Sequence, residues 1–278
     1  MLKPTRTRVH GFNVLLNEGD MYPAIVQRFP FFNAPLVELV HQVHRVRARP
    51  LCFLDLGAAV GDTVLLLEQR CPQAVGRFIC VEGNEEFFGL LEENMKQFEH
   101  VTPQRHLLAR ASGRIPDLVR HHPGSAAASG EASAEAVALD EIETLAAHEF
   151  DILKVDVDGS DGNVLEGGRQ LLQRSQPAVI FEWHPHLIKQ TGADPAAAFV
   201  ALRGCGYKRF LWFTNIGEFS HFEEGFSERT LAKMSEYLLA INHRADEHFD
   251  VIALLPAHSI DEVALATMEF GRLASQQG

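Results

Sequence analysis

The stretch Phe53-Leu-Asp-Leu-Gly-Ala-Ala-Val-Gly-Asp-Thr63 constrains the fold of this chain more than any other. An apolar run of strand length carries Asp55 near its end, and two glycines, Gly57 and Gly61, bracket a tight turn into a helical pattern. Small residues at such a turn let the backbone approach a bound molecule closely. The next apolar run, Phe78-Ile-Cys-Val, ends in Glu82. That acid follows the turn by roughly 20 residues, the spacing at which a second strand delivers a carboxylate to ribose hydroxyls. The two features together point to an adenosine-containing cofactor.

The rest of the chain repeats the strand–helix rhythm. Leu36, Leu39, Val40 and Val43 follow helical spacing after Asn33, which can cap that helix, and Pro50 closes it. Strands are expected at Leu51–Leu56, Arg77–Glu82, His106–Ala109, Asp151–Val157, Ala178–Glu182, Tyr207–Phe213 and Phe249–Leu255. Between them run helical patterns through Phe87, Leu90, Leu91 and Met95, through Val164, Leu165, Leu171 and Leu172, from Asp194 to Cys205, and through Leu231, Met234 and Leu238. Asp140 is expected to cap a short helix, and Asp161 the helix after the fourth strand. Residues 123–134 are small, polar and nearly patternless, and read as an exposed loop. Ser259 and Glu262 have capping-box spacing before an amphipathic tail with Val263, Leu265, Met268 and Phe270. Such alternation predicts an α/β fold, an open and mostly parallel sheet with helices on both faces. One core is expected over residues 50–256, with an N-terminal helical cap over 1–49 and a C-terminal amphipathic tail over 257–278.

Composition narrows the partners. A formal charge of −12 argues against nucleic acid or an anionic membrane, both of which call for basic surface. Arg45, Arg47 and Arg49 form a local basic run, read as a solvated helix end. Cys52, Cys71, Cys80 and Cys205 are scattered without a C-x-x-C pair, so neither a disulfide framework nor a zinc site is indicated. No apolar signal region or stretch of 18 apolar residues occurs, and a cytoplasmic location is expected. Oligomeric state leaves no mark.

Three cofactors compete for the glycine turn. A nicotinamide or flavin site uses G-x-G-x-x-G, but Ala59 stands at the second glycine. A phosphate-binding P-loop needs a lysine after its glycines, and none is present. S-adenosylmethionine has no phosphate and carries a sulfonium cation with an amino-acid tail, which suits Asp55 and Glu82. The residues favour S-adenosylmethionine.

Asp55-Leu-Gly-Ala-Ala-Val-Gly61 resembles motif I of the class I methyltransferases, and Val81-Glu82 resembles their strand-two acid. Leu139-Asp140-Glu141, Asp151-Ile-Leu-Lys-Val-Asp-Val-Asp-Gly159 and Val164-Leu-Glu-Gly-Gly168 are similar to the FkbM family, a resemblance covering roughly residues 50–256. It implies a Rossmann-like seven-stranded sheet and methylation of a hydroxyl oxygen on a small molecule or sugar. Two departures stand out: Asp158 where the family usually has Glu, and Gly83-Asn84 where a proline often follows the strand-two acid.

The candidate cofactor ligands are Asp55, Gly57, Ala58, Gly61 and Glu82, with Asp62 and Thr63 at the helix N-terminus for the carboxylate tail. Gly83 and Asn84 lie beside the adenine face, and Ala109 and Ser112 are its neighbours by topology. Asp156 can hold the methionine amino group, the substrate hydroxyl or a metal. His184, in Glu182-Trp-His-Pro185, sits where a general base belongs, with a chance surface histidine as the plain alternative. Trp183 is either a wall of the site or core. Residues 1–33, and the segment between Trp212 and Phe249 with Phe219, His221, Phe222 and Phe226, are candidates for covering the substrate. No metal is assigned. A Mg²⁺ variant using Asp156, Glu182 and His184, a nicotinamide enzyme and a non-catalytic binding protein remain open at this point.

Overall fold

The computed structural model describes residues 4–122, 125–241 and 247–267, with side chains described outside 116–133. The chain opens with β1 (Pro4–Val9), β2 (Phe12–Asn17), α1 (Tyr22–Arg28) and α2 (Ala34–Arg47). It continues through β3 (Leu51–Leu56), α3 (Asp62–Arg70), β4 (Val75–Glu82), α4 (Glu85–Met95) and β5 (Val101–Arg105). Then come β6 (Leu108–Ala109), β7 (Gly113–His122), β8 (Ser125–Ala138) and α5 (Glu143–Ala146). The second half holds β9 (Ile152–Val155), α6 (Asp161–Gly167), α7 (Arg169–Ser175), β10 (Ala178–Trp183), α8 (Pro185–Thr191) and α9 (Ala197–Gly204). It ends with β11 (Arg209–Thr214), β12 (Phe219–Glu224), α10 (Glu228–Ala240), β13 (Phe249–Leu254) and α11 (Glu262–Thr267).

The main sheet has eight strands in the order β12-β11-β13-β10-β9-β3-β4-β5. From β5 to β10 all neighbours are parallel, whereas β13 runs antiparallel to both β10 and β11. Six of these strands fall where strands were expected, β5 takes the place of the expected third, and β12 is an eighth on the edge, antiparallel to β11. The central strands are apolar on both faces because helices cover both. Phe53, Phe78, Cys80, Ile152 and Ile180 face a core shared with Leu36, Leu39, Leu65 and Leu91. Leu54, Leu56, Ile79, Val81, Leu153 and Phe181 face the other, shared with Val164, Leu165, Leu172 and Phe199. Each such side chain contributes about 1.5–3 kcal/mol when fully buried.

Several expectations shift. The third strand lies at Val101–Arg105 rather than His106–Ala109, of which only Leu108–Ala109 is a short strand. From Ser125 on, the patternless segment is a strand rather than a loop: Ser125–Ala138 pairs antiparallel with Gly113–His122 without an apolar pattern. The N-terminal cap begins with the β1–β2 hairpin before its helices. Asn33 precedes α2 but makes no capping bond with its side chain. Asp140 caps a different helix from the one expected, accepting the Gln170 and Leu171 N–H groups at 2.8 and 2.9 Å at the start of α7. Asp161 is the first residue of α6 rather than its cap, and Asp261, not Ser259, caps α11 by accepting from Ala264 at 2.9 Å. Met268 and Phe270 of the tail lie outside the described residues.

The basic run is anchored. Asp151, buried at the start of β9, accepts from Arg49 at 2.8 Å twice and from the Cys52 N–H at 2.9 Å, and Arg47 Nε lies 3.1 Å away. Substituting Asp140→Ala should strip two N–H groups of their acceptor and lower stability by about 1–2 kcal/mol. Urea unfolding checks this, and an unchanged midpoint would mean that the cap carries no weight.

Candidate functional site

Strand order reverses between β3 and β9, and open α/β sheets bind ligands in the crevice beyond such a point. A cleft of about 710 Å³ opens there. Its floor is the glycine turn. Gly57, at φ +79°, donates its N–H to the Val81 carbonyl at 2.9 Å, while Asp156 donates its own to Leu56 at 2.9 Å. A Cβ on Gly57 would stand 1.8 Å from the Asp156 carbonyl oxygen, so only glycine lets the two strand ends meet. Gly61, at φ +89°, starts α3 and packs against Met95. Between them Ala59 holds φ +44°, a left-handed geometry uncommon outside glycine, and donates its N–H to Glu82 Oε2 at 2.9 Å.

Glu82 thus knits strand β4 to the turn. Its Oε1 accepts the Asn84 N–H at 2.7 Å, and Asn84 in turn caps α4 by accepting from Glu86 and Phe87. Burial pushes the Glu82 carboxyl up to about 7, against the pull of those backbone bonds. Asp62, also on the cleft, is raised to about 7 by burial.

Beneath the turn, Lys154 Nζ lies 3.5 Å from Asp55 Oδ1 and donates to Asp156 Oδ2 at 3.0 Å. Burial works against its charge, but Asp156, Asp55 and Asp62 outweigh it and hold the ammonium well above the usual lysine range. Asp55 is fully buried, and burial raises its carboxyl despite Lys154. Among the described residues Lys154 is the only lysine or arginine on the cleft wall.

The far wall comes from β10 and β13, where Glu182 and Asp250 are cross-strand partners. Burial, then the charges of Asp156, Asp161, Asp158 and Asp250, raise the Glu182 carboxyl well above the glutamate norm. Asp250 is pushed up to about 7 by burial and Asp156. His248 Nε2 lies 3.4 Å from Glu182 Oε1, and the His248 ring stacks on His184 with centroids 4.9 Å apart. Met21, Tyr22, Ile25, Phe29 and Phe32 roof the cleft from the N-terminal segment, with Ile216 from the β11–β12 turn. The Tyr22 hydroxyl is held 2.8 Å from His10 Nε2.

Of the residues singled out from sequence, Gly57, Asp62, Glu82, Gly83, Asp156 and Glu182 line the cleft. Asp55, Ala58, Gly61, Thr63 and Asn84 stand behind it, as the buried floor or as turn and helix starts. Ala109 and Ser112 are off the wall, with the Ser112 hydroxyl accepting the Ala138 N–H at 3.0 Å. His184 is also off the wall: it starts α8, only 7% exposed, and burial and its neighbours His248 and His186 lower its pKa to about 3. Trp183 is core, its indole N–H donating to Pro195 at 2.9 Å. Phe219, His221, Phe222 and Phe226 do not reach the cleft, whereas Asn215, Ile216 and His248 of the same segment do. Sequence reading passed over Lys154, Tyr22, His248 and Asp250. A charged Lys154 inside an apolar strand, on the same face as Asp156, was a usable signal. His248 and Asp250 acquire meaning only through the antiparallel pairing.

A doubly wound sheet with an acid on the second strand, a glycine turn at its switch point and an antiparallel β13 between β10 and β11 has the Rossmann-like architecture of the class I methyltransferases. The Methyltransferase FkbM domain matches residues 55–209, more than half of the chain, and this chain belongs to the FkbM methyltransferase family. No curated protein matches it. Among solved structures, methyltransferase FkbM from Methylobacillus flagellatus is similar at 15% identity and TM-score 0.44, over 58% of this chain and 40% of that one. This chain therefore spans about two fifths of that protein's length. An O-methyltransferase from Bacillus cereus in complex with SAH is similar at 13% identity and TM-score 0.40, over 86% of this chain and 84% of that one. A SAM-dependent methyltransferase from Aquifex aeolicus is similar at 10% identity and TM-score 0.41, over 83% and 96%. Among the described residues no three His, Cys, Asp or Glu side chains converge as a metal site requires, and no helix is long and apolar enough to cross a membrane.

Two outcomes are expected. Gly57→Ala should weaken S-adenosylmethionine binding at least about tenfold, because the added carbon forces the turn off the Asp156 carbonyl; calorimetry reads this, and wild-type affinity would contradict it. Glu82, Asp62 and Asp250 bind protons more tightly folded than unfolded, so their contribution is complete below about pH 4 and is lost as pH rises through about 7. The ligand-free protein should accordingly show a lower urea midpoint at about pH 8 than at about pH 5.

Proposed function

We propose that this chain methylates a hydroxyl oxygen of a small molecule or sugar, with the donor held by the glycine turn and Glu82 and the acceptor held beneath the aromatic roof. The observation that carries this reading is that Glu82, Asp62, Asp156 and Glu182 share one cleft with the Gly57 turn. The residues suit the donor on three counts. Gly57 leaves no side chain above the floor, the wall is rich in carboxyl groups that favour a sulfonium and an ammonium, and the cleft is large enough for donor and acceptor together.

In this reading Glu82 accepts hydrogen bonds from the ribose hydroxyls, using lone pairs beyond those given to Ala59 and Asn84. Gly83 lies next to the base, with Phe87 and Leu108 as apolar neighbours. Asp62 faces the amino-acid tail, and Asp156, fixed by Lys154, holds the amino group or orients the acceptor. When bound, S-adenosylmethionine supplies a methyl group already activated on a cationic sulfur. The protein's tasks are then alignment, exclusion of water and removal of one proton. Removal falls to a group on the cleft wall, because His184 stands behind it.

Glu82→Gln keeps the shape but loses the charge-assisted bonds to the diol. Affinity for S-adenosylhomocysteine, measured by calorimetry, should fall about 10- to 100-fold. Unchanged affinity would remove Glu82 from the ribose role.

A further inference from the structure

We propose that His248 and Glu182 act as one acid–base pair that takes the proton from the acceptor hydroxyl during methyl transfer. This inference rests on the methyltransferase reading of the cleft.

The geometry begins with the antiparallel pairing of β10 and β13, which sets Glu182 opposite Asp250 and Trp183 opposite Phe249. That register brings the residue before β13, His248, to the lip where β10 ends. Both His248 and Glu182 line the cleft, with Nε2 and Oε1 3.4 Å apart. The imidazole is held from behind by His184, whose ring lies nearly parallel to it, 18° off, at a centroid distance of 4.9 Å. It is fixed through its backbone as well, since the His248 carbonyl accepts the Asn215 N–H at 3.2 Å. Glu182 Oε2 accepts no hydrogen bond within the described residues. A backing ring, a carboxyl partner and a cleft-facing edge are what a positioned base requires.

His184 fits this role better than the one expected of it. Burial and its histidine neighbours keep it neutral, so it supports the His248 ring without competing for the proton. Burial, and then Asp156, Asp161, Asp158 and Asp250 around it, press Glu182 toward the protonated form. With Nε2 and Oε1 3.4 Å apart, the two groups can share the proton that the reaction delivers. As the acceptor oxygen forms its bond to the methyl carbon, the carbon–sulfur bond breaks with its electron pair left on sulfur, and the hydroxyl proton passes to the pair. Charged and titratable groups around the pair are Asp156, Asp158 and Lys154 at the end of β9, Asp161 of α6, Asp250 of β13, and His184 and His186 beside β10.

The test needs no acceptor. Histidine resonances of the full chain are titrated by NMR in complexes with S-adenosylhomocysteine and with sinefungin, whose amine on carbon replaces the methyl sulfonium. The spectrum of His248→Gln identifies the His248 signal among 14 histidines. An ammonium beside the methyl position disfavours a second cation nearby, so the His248 midpoint should lie at least about half a unit lower with sinefungin. In Glu182→Gln the midpoint in the S-adenosylhomocysteine complex should also fall, because the state in which the shared proton rests on the imidazole beside an ionised Glu182 is lost. Coincident midpoints in the two wild-type complexes overturn the proposal, as does a midpoint indifferent to Glu182→Gln. If that variant does not bind S-adenosylhomocysteine, the wild-type comparison alone decides. Failure of both ligands to bind the wild type in calorimetry would instead sink the methyltransferase reading of the cleft, and the pair with it.

Discussion

One buried ammonium holds this site together. Lys154 sits inside the sheet with Asp55 on the neighbouring strand and Asp156 at the end of its own. Removing a charge from water is costly unless it is paired, and here the pairing crosses the switch point where the strand order turns. The same contact line includes Gly57, pressed against the Asp156 carbonyl. Turn, floor and acid rim are therefore one mechanical unit.

Around that cation the acids outnumber the bases. Glu82, Asp62, Asp250 and Glu182 all carry carboxyls lifted by burial, and Lys154 is their only lysine or arginine companion on the wall among the described residues. Such a cleft stores unfavourable energy in its own ionisation and releases it when a cation enters. With the donor bound as proposed, its sulfonium meets that condition and the neutral thioether product does not, so the electrostatics of that arrangement favour substrate over spent cofactor.

The parts of the fold read from sequence are those fixed by local pattern. Leu54 and Leu56 against Phe53 alternate between two covered faces, and the strand–turn–helix at Asp55–Thr63 follows from its glycines. The glycine turn and Glu82 were legible for the same reason. What escaped depends on pairing between distant segments. The strands at 113–122 and 125–138 pair through their backbones, and the small or polar residues from Ser125 to Ala134 leave no apolar signature. Asp140 looks like a cap for its own helix and instead serves α7, some 30 residues away. The motif around β10 drew attention to His184, but a one-residue step past the strand turns that ring behind the wall, and the cleft histidine stands just before a strand more than 60 residues later.

The roof over the cleft is built differently from its floor. Helix α1 has no buried residue, although Tyr22 and Ile25 face the cleft. Tyr22 is the side chain of this helix that packs against the main core, so exchanges at its other positions spare the packed sheet. Under the proposed function, acceptor choice and fold stability thereby become separable properties: most of the roof can be rewritten side chain by side chain above an unchanged glycine-turn floor.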